Sequence, residues 1–167
     1  DRESVDFLLG DLKLPLIKIA SFDSSNLDLI NKIKKYSSDV IVSLGMSKVT
    51  EIDPLVKKLS KNRNLGLLHC VTSYPIKENE SNLSVIHTLR KKYNNIIGYS
   101  DHTKGILVPT LAVASGAKII EKHFMLNKND KCVDSPVSID QFEFKKMVQE
   151  IRKVEAIMGD NKINIRQ

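Results

Sequence analysis

Ile119-Ile120-Glu121-Lys122-His123-Phe124-Met125 does not alternate into a strand with one wet face. It reads as a buried strand whose polar residues gather at the C-terminal end, where α/β proteins place their chemistry. Twenty-one positions earlier (123 − 102 = 21) stands Gly98-Tyr99-Ser100-Asp101-His102-Thr103, a second apolar strand that also closes in a histidine. These two histidine-tipped strands decide how the rest of the chain is read.

Working outward, apolar runs predict strands over 16–21, 40–44, 65–70, 96–100 and 118–124. Helical stripes lie between them. The first stripe occupies 3–14, with Val5, Leu8, Leu9 and Leu12 on one side. Ser24, Ser25 and Asn26 offer caps for a helix burying Leu27, Ile30 and Ile33. Thr50-Glu51-Ile52-Asp53 resembles a capping box with Pro54 in the first turn. Leu83, Ile86, Leu89 and Tyr93 mark a further helix, and the almost wholly apolar stretch 105–115 predicts a well-buried one ended by Gly116. Ser138-Ile139-Asp140-Gln141 opens the last helix, with Phe142, Val148, Ile151 and Val154 on its stripe and Gly159 at its end.

A helix followed by five βα units means a parallel sheet with right-handed crossovers. Two constructions are open: a complete five-stranded doubly wound domain, or five-eighths of a TIM (β/α)8 barrel, which needs about 250 residues when whole. Length alone favours the first, since the chain has 167 residues. The residues at the strand ends favour the barrel.

Composition narrows the function classes. With 41% hydrophobic and 28% charged residues, the chain is ordinary for a soluble globular domain. No apolar run approaches about 18 residues, so no membrane partner is expected. The net charge of +6 raises the question of nucleic acid. Its lysines, however, scatter as Lys34-Lys35, Lys57-Lys58, Lys91-Lys92 and Lys145-Lys146, without interleaved aromatics. They read as solvated helix faces, with no nucleic-acid partner. Cys70 and Cys132 form neither a disulfide framework nor a CxxC site, which fits a reduced cytoplasm. The opening Asp-Arg-Glu-Ser carries no signal-peptide pattern and reads as cut from something longer.

The strand ends in order carry Lys18 with Ser21 and Asp23, then Ser43, then His69 with Thr72 and Tyr74, then Ser100, Asp101 and His102, and finally Glu121 and His123. Two imidazoles on adjacent strands suit a divalent metal and leave coordination positions open. Taken alone, a histidine at a strand end is more often a satisfied polar residue than a ligand, and it is the pair that makes a metal an even alternative. Asp101 and Glu121 stand next to them as carboxylates able to orient or neutralise. His69 points into packing, and His87, on an exposed helix side, has no role. Lys18 interrupts Leu16-Ile17-Ile19-Ala20, so it must be paired, neutral, facing a cavity or snorkelling outward. Asp134, eleven residues after His123 (134 − 123 = 11), could fold back as a general base. A non-catalytic five-stranded ligand-binding or regulatory module is the reading from another class. Its acids after strands one and three are replaced here by Lys18/Ser21 and His69/Cys70.

Lys18-Ile19-Ala20-Ser21, Val42-Ser43-Leu44-Gly45-Met46, His69-Cys70-Val71-Thr72-Ser73-Tyr74-Pro75, Gly98-Tyr99-Ser100-Asp101-His102-Thr103 and Glu121-Lys122-His123-Phe124 occur in this order, one per strand end. Together they resemble the sialic-acid (nonulosonate) synthase family throughout the chain. Ala20-Ser21-Phe22-Asp23 and Val133-Asp134-Ser135-Pro136-Val137-Ser138 are most similar to its pseudaminic-acid-forming subgroup. The N-acetylneuraminate- and legionaminate-forming subgroups are the near alternatives.

The resemblance implies a TIM barrel of which residues 1–167 are strands 4 to 8 with their helices. Strands 1 to 3 and a C-terminal antifreeze-like domain lie outside the chain, and the whole protein is a domain-swapped homodimer. It implies condensation of phosphoenolpyruvate with an N-acylated amino-sugar aldehyde and release of phosphate. His102 and His123 match metal ligands, for Mn2+ first and Mg2+ or Co2+ next. Lys18, Ser21, Ser43 and Ser100 match positions that hold phosphoenolpyruvate. Asp23, Tyr74 and Asp134 match the sugar side, Thr72 is a further substrate-binding candidate, and Lys18 and Asp134 are the catalytic candidates. Asp23 stands where Glu is usual, Leu44 where Thr is usual, and Thr72 where some members carry Asn. The piece alone is expected to be inactive and poorly soluble, because an open barrel leaves two sheet edges unpaired.

Overall fold

The computed structural model describes residues 1–60, 64–160 and 162. Positions 61–63, 161 and 163–167 of the expected barrel portion lie outside the described residues. Helix α1 (Arg2–Val5) runs into a wider π-turn, Asp6–Asp11. There follow β1 (Leu16–Ile19), α2 (Leu27–Ile33), β2 (Asp39–Ser43), α3 (Val49–Leu59), β3 (Leu65–Cys70) and α4 (Ser84–Lys92). Then come β4 (Ile96–Asp101), α5 (Leu107–Ala114), β5 (Ile120–Lys122) and α6 (Gln141–Met158).

All five strands are parallel and lie side by side in chain order, β1 to β5. A doubly wound sheet reverses its strand order at a switch point, and this one does not. It also curls. In a flat sheet β1 and β5 would be about 19 Å apart, four spacings of ~4.8 Å, more than two side chains can bridge. Yet Lys18 Nζ on β1 lies 2.9 Å from Glu121 Oε1 on β5. The sheet is an arc of a barrel, as the strand ends suggest.

Alternation along the strands separates two layers. Val40, Val42, Leu65, Leu67, Ile97 and Tyr99 face outward into one core shared with Ile30, Ile33, Leu55, Leu59, Ile86 and Ala112 of the helices. Each such aliphatic side chain contributes roughly 1.5–3 kcal/mol by leaving water. The inner layer is built by Ile41, Leu68 and Ile119 packing over glycines. A Cβ on Gly98 would meet Ile119 O and Leu68 Cδ2 at 2.5 Å, so a larger residue would push the strands apart.

Several elements shift from the sequence expectation. Strand five keeps only Ile120–Lys122 of the expected 118–124, and His123–Met125 instead pairs with Ile139. The last helix is capped by Asp140, which accepts from Phe142 N and Glu143 N while Glu143 reaches back to Asp140 N. Ser138 does not cap it, because Ile139 is held in extended pairing with His123 and Met125, so the helix begins only after Asp140. Phe142 is consequently exposed at 74%, and Met147 takes the buried place on α6. Leu27, Leu107 and Leu111 are exposed where burial was expected, because α2 turns Leu29 inward and α5 buries only Val108, Pro109 and Ala112. Among the described residues, no helix is long and apolar enough to cross a membrane.

Candidate active site

The C-terminal ends of the strands open onto a cavity of about 400 Å3. Lys18, Ser21, Ser43, Thr72, Tyr74, Ser100, His102 and His123 all line it. Eight residues singled out from sequence, spread over more than 100 positions (123 − 18 = 105), are thus brought together. Two others are not among its lining. Asp23 ends the 3-10 turn Ser21–Asp23, and Phe22 of that turn faces the cavity instead. Asp134 sits on the loop before α6, its Oδ2 3.6 Å from His123 Nδ1.

The two imidazoles stand edge to face with ring centroids 5.5 Å apart. Tyr74 stacks on His102 at 4.0 Å and meets His123 edge-on at 5.6 Å. His102 Nδ1 lies 2.8 Å from Val71 O. Bonding to a carbonyl requires the proton on Nδ1, so Nε2 carries the lone pair. Burial holds the His102 pKa below its ordinary value, outweighing the Val71 bond that favours the cation. A neutral ring with a fixed tautomer is what a metal ligand requires. Among the described residues, no group of three or more His, Cys, Asp or Glu side chains is placed to hold a metal, so these two histidines would share an ion with water or substrate.

The neighbouring carboxylates have other partners than the sequence suggests. Glu121 accepts from Lys18 Nζ at 2.9 Å and from Ser100 Oγ at 2.7 Å. Burial would raise its pKa, but the bonds from Lys18 and Ser100 prevail and hold it below the ordinary carboxylate range. Asp101 turns to the other face of the sheet, where it meets Lys122. Neither carboxylate orients a histidine. The alternation rule explains both: Glu121 shares the inward face with His123 two residues on, whereas Asp101 and Lys122 share the outward one.

The floor of the cavity is hydroxylic. Ser21 Oγ accepts from Gly45 N at 3.1 Å and touches Cys70 Sγ at 3.0 Å. A Cβ on Gly45 would come within 2.5 Å of Cys70 Sγ and Thr72 Oγ1, so only glycine lets β2 close against β3 here. Ser43 Oγ is buried without a hydrogen-bond partner in a cavity wall, an orphan that a ligand oxygen would satisfy. Outside the cavity, His69 is buried with Nε2 2.9 Å from Ser81 O, and His87 is exposed. Ala20, Phe22, Met46, Cys70 and Lys122 also line the cavity without having been proposed as site residues, as does Glu121, which the sequence marked only as a neighbour of the histidines. The two-residue spacing of Glu121 to His123 is what places both on the inward face.

Residues 1–163 match the NeuB family model. The chain is 42% identical over 164 residues to an N,N'-diacetyllegionaminic acid synthase of Campylobacter jejuni, covering 96% of this chain and 49% of the relative. It is 40% identical over 166 residues to a pseudaminic acid synthase of the same species, covering 98% and 48% respectively. A crystal structure of an N-acetylneuraminic acid synthetase from Leptospira borgpetersenii in complex with citrate superposes with a TM-score of 0.91 at 40% identity, over 95% of this chain and 56% of that one. The chain therefore spans about half the length of the curated relatives it matches.

Proposed function

Because the chain belongs to the NeuB family, we propose that it forms the substrate-facing part of a synthase that joins phosphoenolpyruvate to an N-acylated amino-sugar aldehyde. One observation carries the reading. Lys18, Ser43, Ser100, His102 and His123 come from the ends of four different strands yet line one cavity. In the reaction, C3 of the enolpyruvate bonds to the aldehyde carbon and the aldehyde oxygen takes a proton. Water adds at C2, and the C2–O bond to phosphate breaks, releasing phosphate and a nonulosonic acid.

Each residue has a place in this scheme. The Lys18 ammonium and the Ser21, Ser43 and Ser100 hydroxyls bind the phosphate and carboxylate of phosphoenolpyruvate through charge-assisted hydrogen bonds. Until that anion arrives, Glu121 keeps Lys18 and Ser100 in position. His102 and His123 hold a divalent cation, Mn2+ first and Mg2+ or Co2+ next. When bound, it supplies Lewis acidity toward the aldehyde oxygen. Asp134 handles the proton at that oxygen, while Thr72, Tyr74 and Asp23 take the sugar side. To the part of the protein outside this chain we assign barrel strands 1 to 3 and a C-terminal antifreeze-like domain. We assign the whole protein to a cytoplasmic, domain-swapped homodimer.

For the product, a pseudaminic-type acid is supported by Ala20-Ser21-Phe22-Asp23, whose Phe22 lines the cavity. Legionaminic acid is the second reading, favoured by the 42% identity to a legionaminic acid synthase. In the longer protein, competition between amino sugars separates them. Turnover with N-acetylmannosamine and none with the trideoxy altrose sugar defeats the pseudaminic reading. Mn2+ titration of wild type and His102→Ala by calorimetry tests the site itself. Loss of binding in the variant is expected, and equal binding overturns the metal assignment.

A further inference from the structure

A second, sealed cluster lies directly behind the two histidines and takes no part in the chemistry above. Asp101 and Lys122 are register partners across β4 and β5. Lys122 Nζ lies 2.6 Å from Asp101 Oδ2 and also donates to Thr103 O. Thr103 in turn donates to Asp101 Oδ1 from its backbone N at 3.2 Å and from its hydroxyl at 2.9 Å. The side chains of Lys122 and Asp101 are 1% and 0% exposed, and Thr103 is 0% exposed.

Placement gives this ring its meaning. Asp101 and Thr103 are the two chain neighbours of His102, and Lys122 is the residue before His123. The two bonds from Lys122 therefore tie the backbone flanking one imidazole to the backbone flanking the other, and the Thr103–Asp101 bonds hold their two acceptors in place. The β4–β5 ladder and the Ser100–Glu121 bond also join the two strands, but both end before His123. β5 ends at Lys122, so its ladder with β4 stops one residue short of His123, whose own backbone is held instead by Ile139 N on the far side. Across the gap, among the described residues, the imidazoles meet through ring contacts with each other and with Tyr74. A buried pair of this kind is weak evidence for stability, since well-packed apolar residues serve as well, but its bonds are directional and apolar packing is not.

We propose that Lys122, Asp101 and Thr103 are positioning residues that set the separation of His102 and His123 and thereby the affinity of the site for a divalent cation. None of the three ligates the ion. The inference rests on the reading of the two histidines as metal ligands. Ligand geometry fixed by groups outside the coordination sphere accounts for about 10–100-fold of metal affinity in other sites.

The test is a double replacement, Asp101→Leu with Lys122→Met, compared with wild type by Mn2+ calorimetry, Mn2+ paramagnetic resonance and thermal melting. Removing both charges leaves no uncompensated ion, though Thr103 loses its buried partners, so a lowered but cooperative melt is expected while Mn2+ affinity falls about 10-fold or more. A folded double variant that binds Mn2+ as wild type does, with the same resonance line shape, overturns the proposal. Thr103→Val is the milder second variant, removing one hydroxyl and keeping the shape. A loss of about 3-fold is expected, below the range for a complete outer group, and unchanged affinity counts against the lock even if the double variant does not fold. If wild type binds no Mn2+, or His102→Ala binds it equally well, the ligand assignment fails rather than the lock.

Discussion

Glu121 and Lys122 are adjacent in sequence, and each joins an ion pair with a different strand, yet the two pairs live in different solvents. Lys18–Glu121 spans the mouth of the barrel arc with side chains 34% and 37% exposed. Lys122–Asp101 lies on the outer face with side chains 1% and 0% exposed. The open pair can exchange partners, so its lysine remains available to an anion. The sealed pair cannot exchange without leaving a charge stranded in an apolar layer. Similar chemistry thus serves reception on one face and rigidity on the other, and the face is decided by a shift of one residue along β5.

The largest expected difference is in stability. Breaking the sealed pair singly, by Asp101→Asn or Lys122→Met, should cost about 3–5 kcal/mol in denaturant unfolding. Breaking the open pair by Glu121→Gln should cost under about 1 kcal/mol. Equal costs would erase the contrast. Next comes ligand binding: Lys18→Met should weaken binding of phosphoenolpyruvate or inorganic phosphate about 10-fold or more, the value of one hydrogen bond to a charged group. An unchanged phosphate isotherm would remove Lys18 from the anion site.

Glu121→Gln should act in the opposite direction. It removes a carboxylate that already occupies Lys18 and Ser100, so phosphate affinity should rise a few-fold, by roughly 1 kcal/mol of relieved repulsion in partly solvated surroundings. Weaker phosphate binding would show that Glu121 assists the anion instead of standing in for it.

The smallest effect is a pH slope to which His69 on the outer face contributes alongside His102, whose pKa burial also lowers. Burial lowers the pKa of His69, against the pull of its backbone bond to Ser81. Its ring faces Tyr99, and its Nε2 meets Ser81 O. The unfolded chain takes up the proton near pH 6.5 while the folded chain resists. Stability is therefore complete above that pH and falls as acid carries the solution down toward the folded value. His69→Gln should flatten the melting-temperature slope between pH 7 and 5. An unaltered slope would place the acid sensitivity elsewhere.

Much of this was legible in the chain. The apolar strands and the five-motif series were enough to expect a barrel arc with chemistry at its C-terminal rim, and Lys18, Ser43, Ser100, His102 and His123 do meet there. Partner choice was less legible. Asp101 and Glu121 looked like orienters of the histidines because they are close in sequence, but strand alternation sends Asp101 to Lys122 and Glu121 to Lys18. The cap of α6 slipped by two residues because Ile139 pairs with His123 and Met125, a contact the local pattern does not show.

Sequence by itself determined which elements form and which residue types arrive at the strand ends, because both follow from periodicity and propensity within a few residues. Only the tertiary structure decided that β1 and β5 come close enough for Lys18 to reach Glu121. It also decided that one lysine of β5's surroundings is wet and the other sealed, and that Ser43 is left without a partner. Those outcomes depend on the curl of the whole sheet, a sum of small twists between strands that no local run of residues specifies.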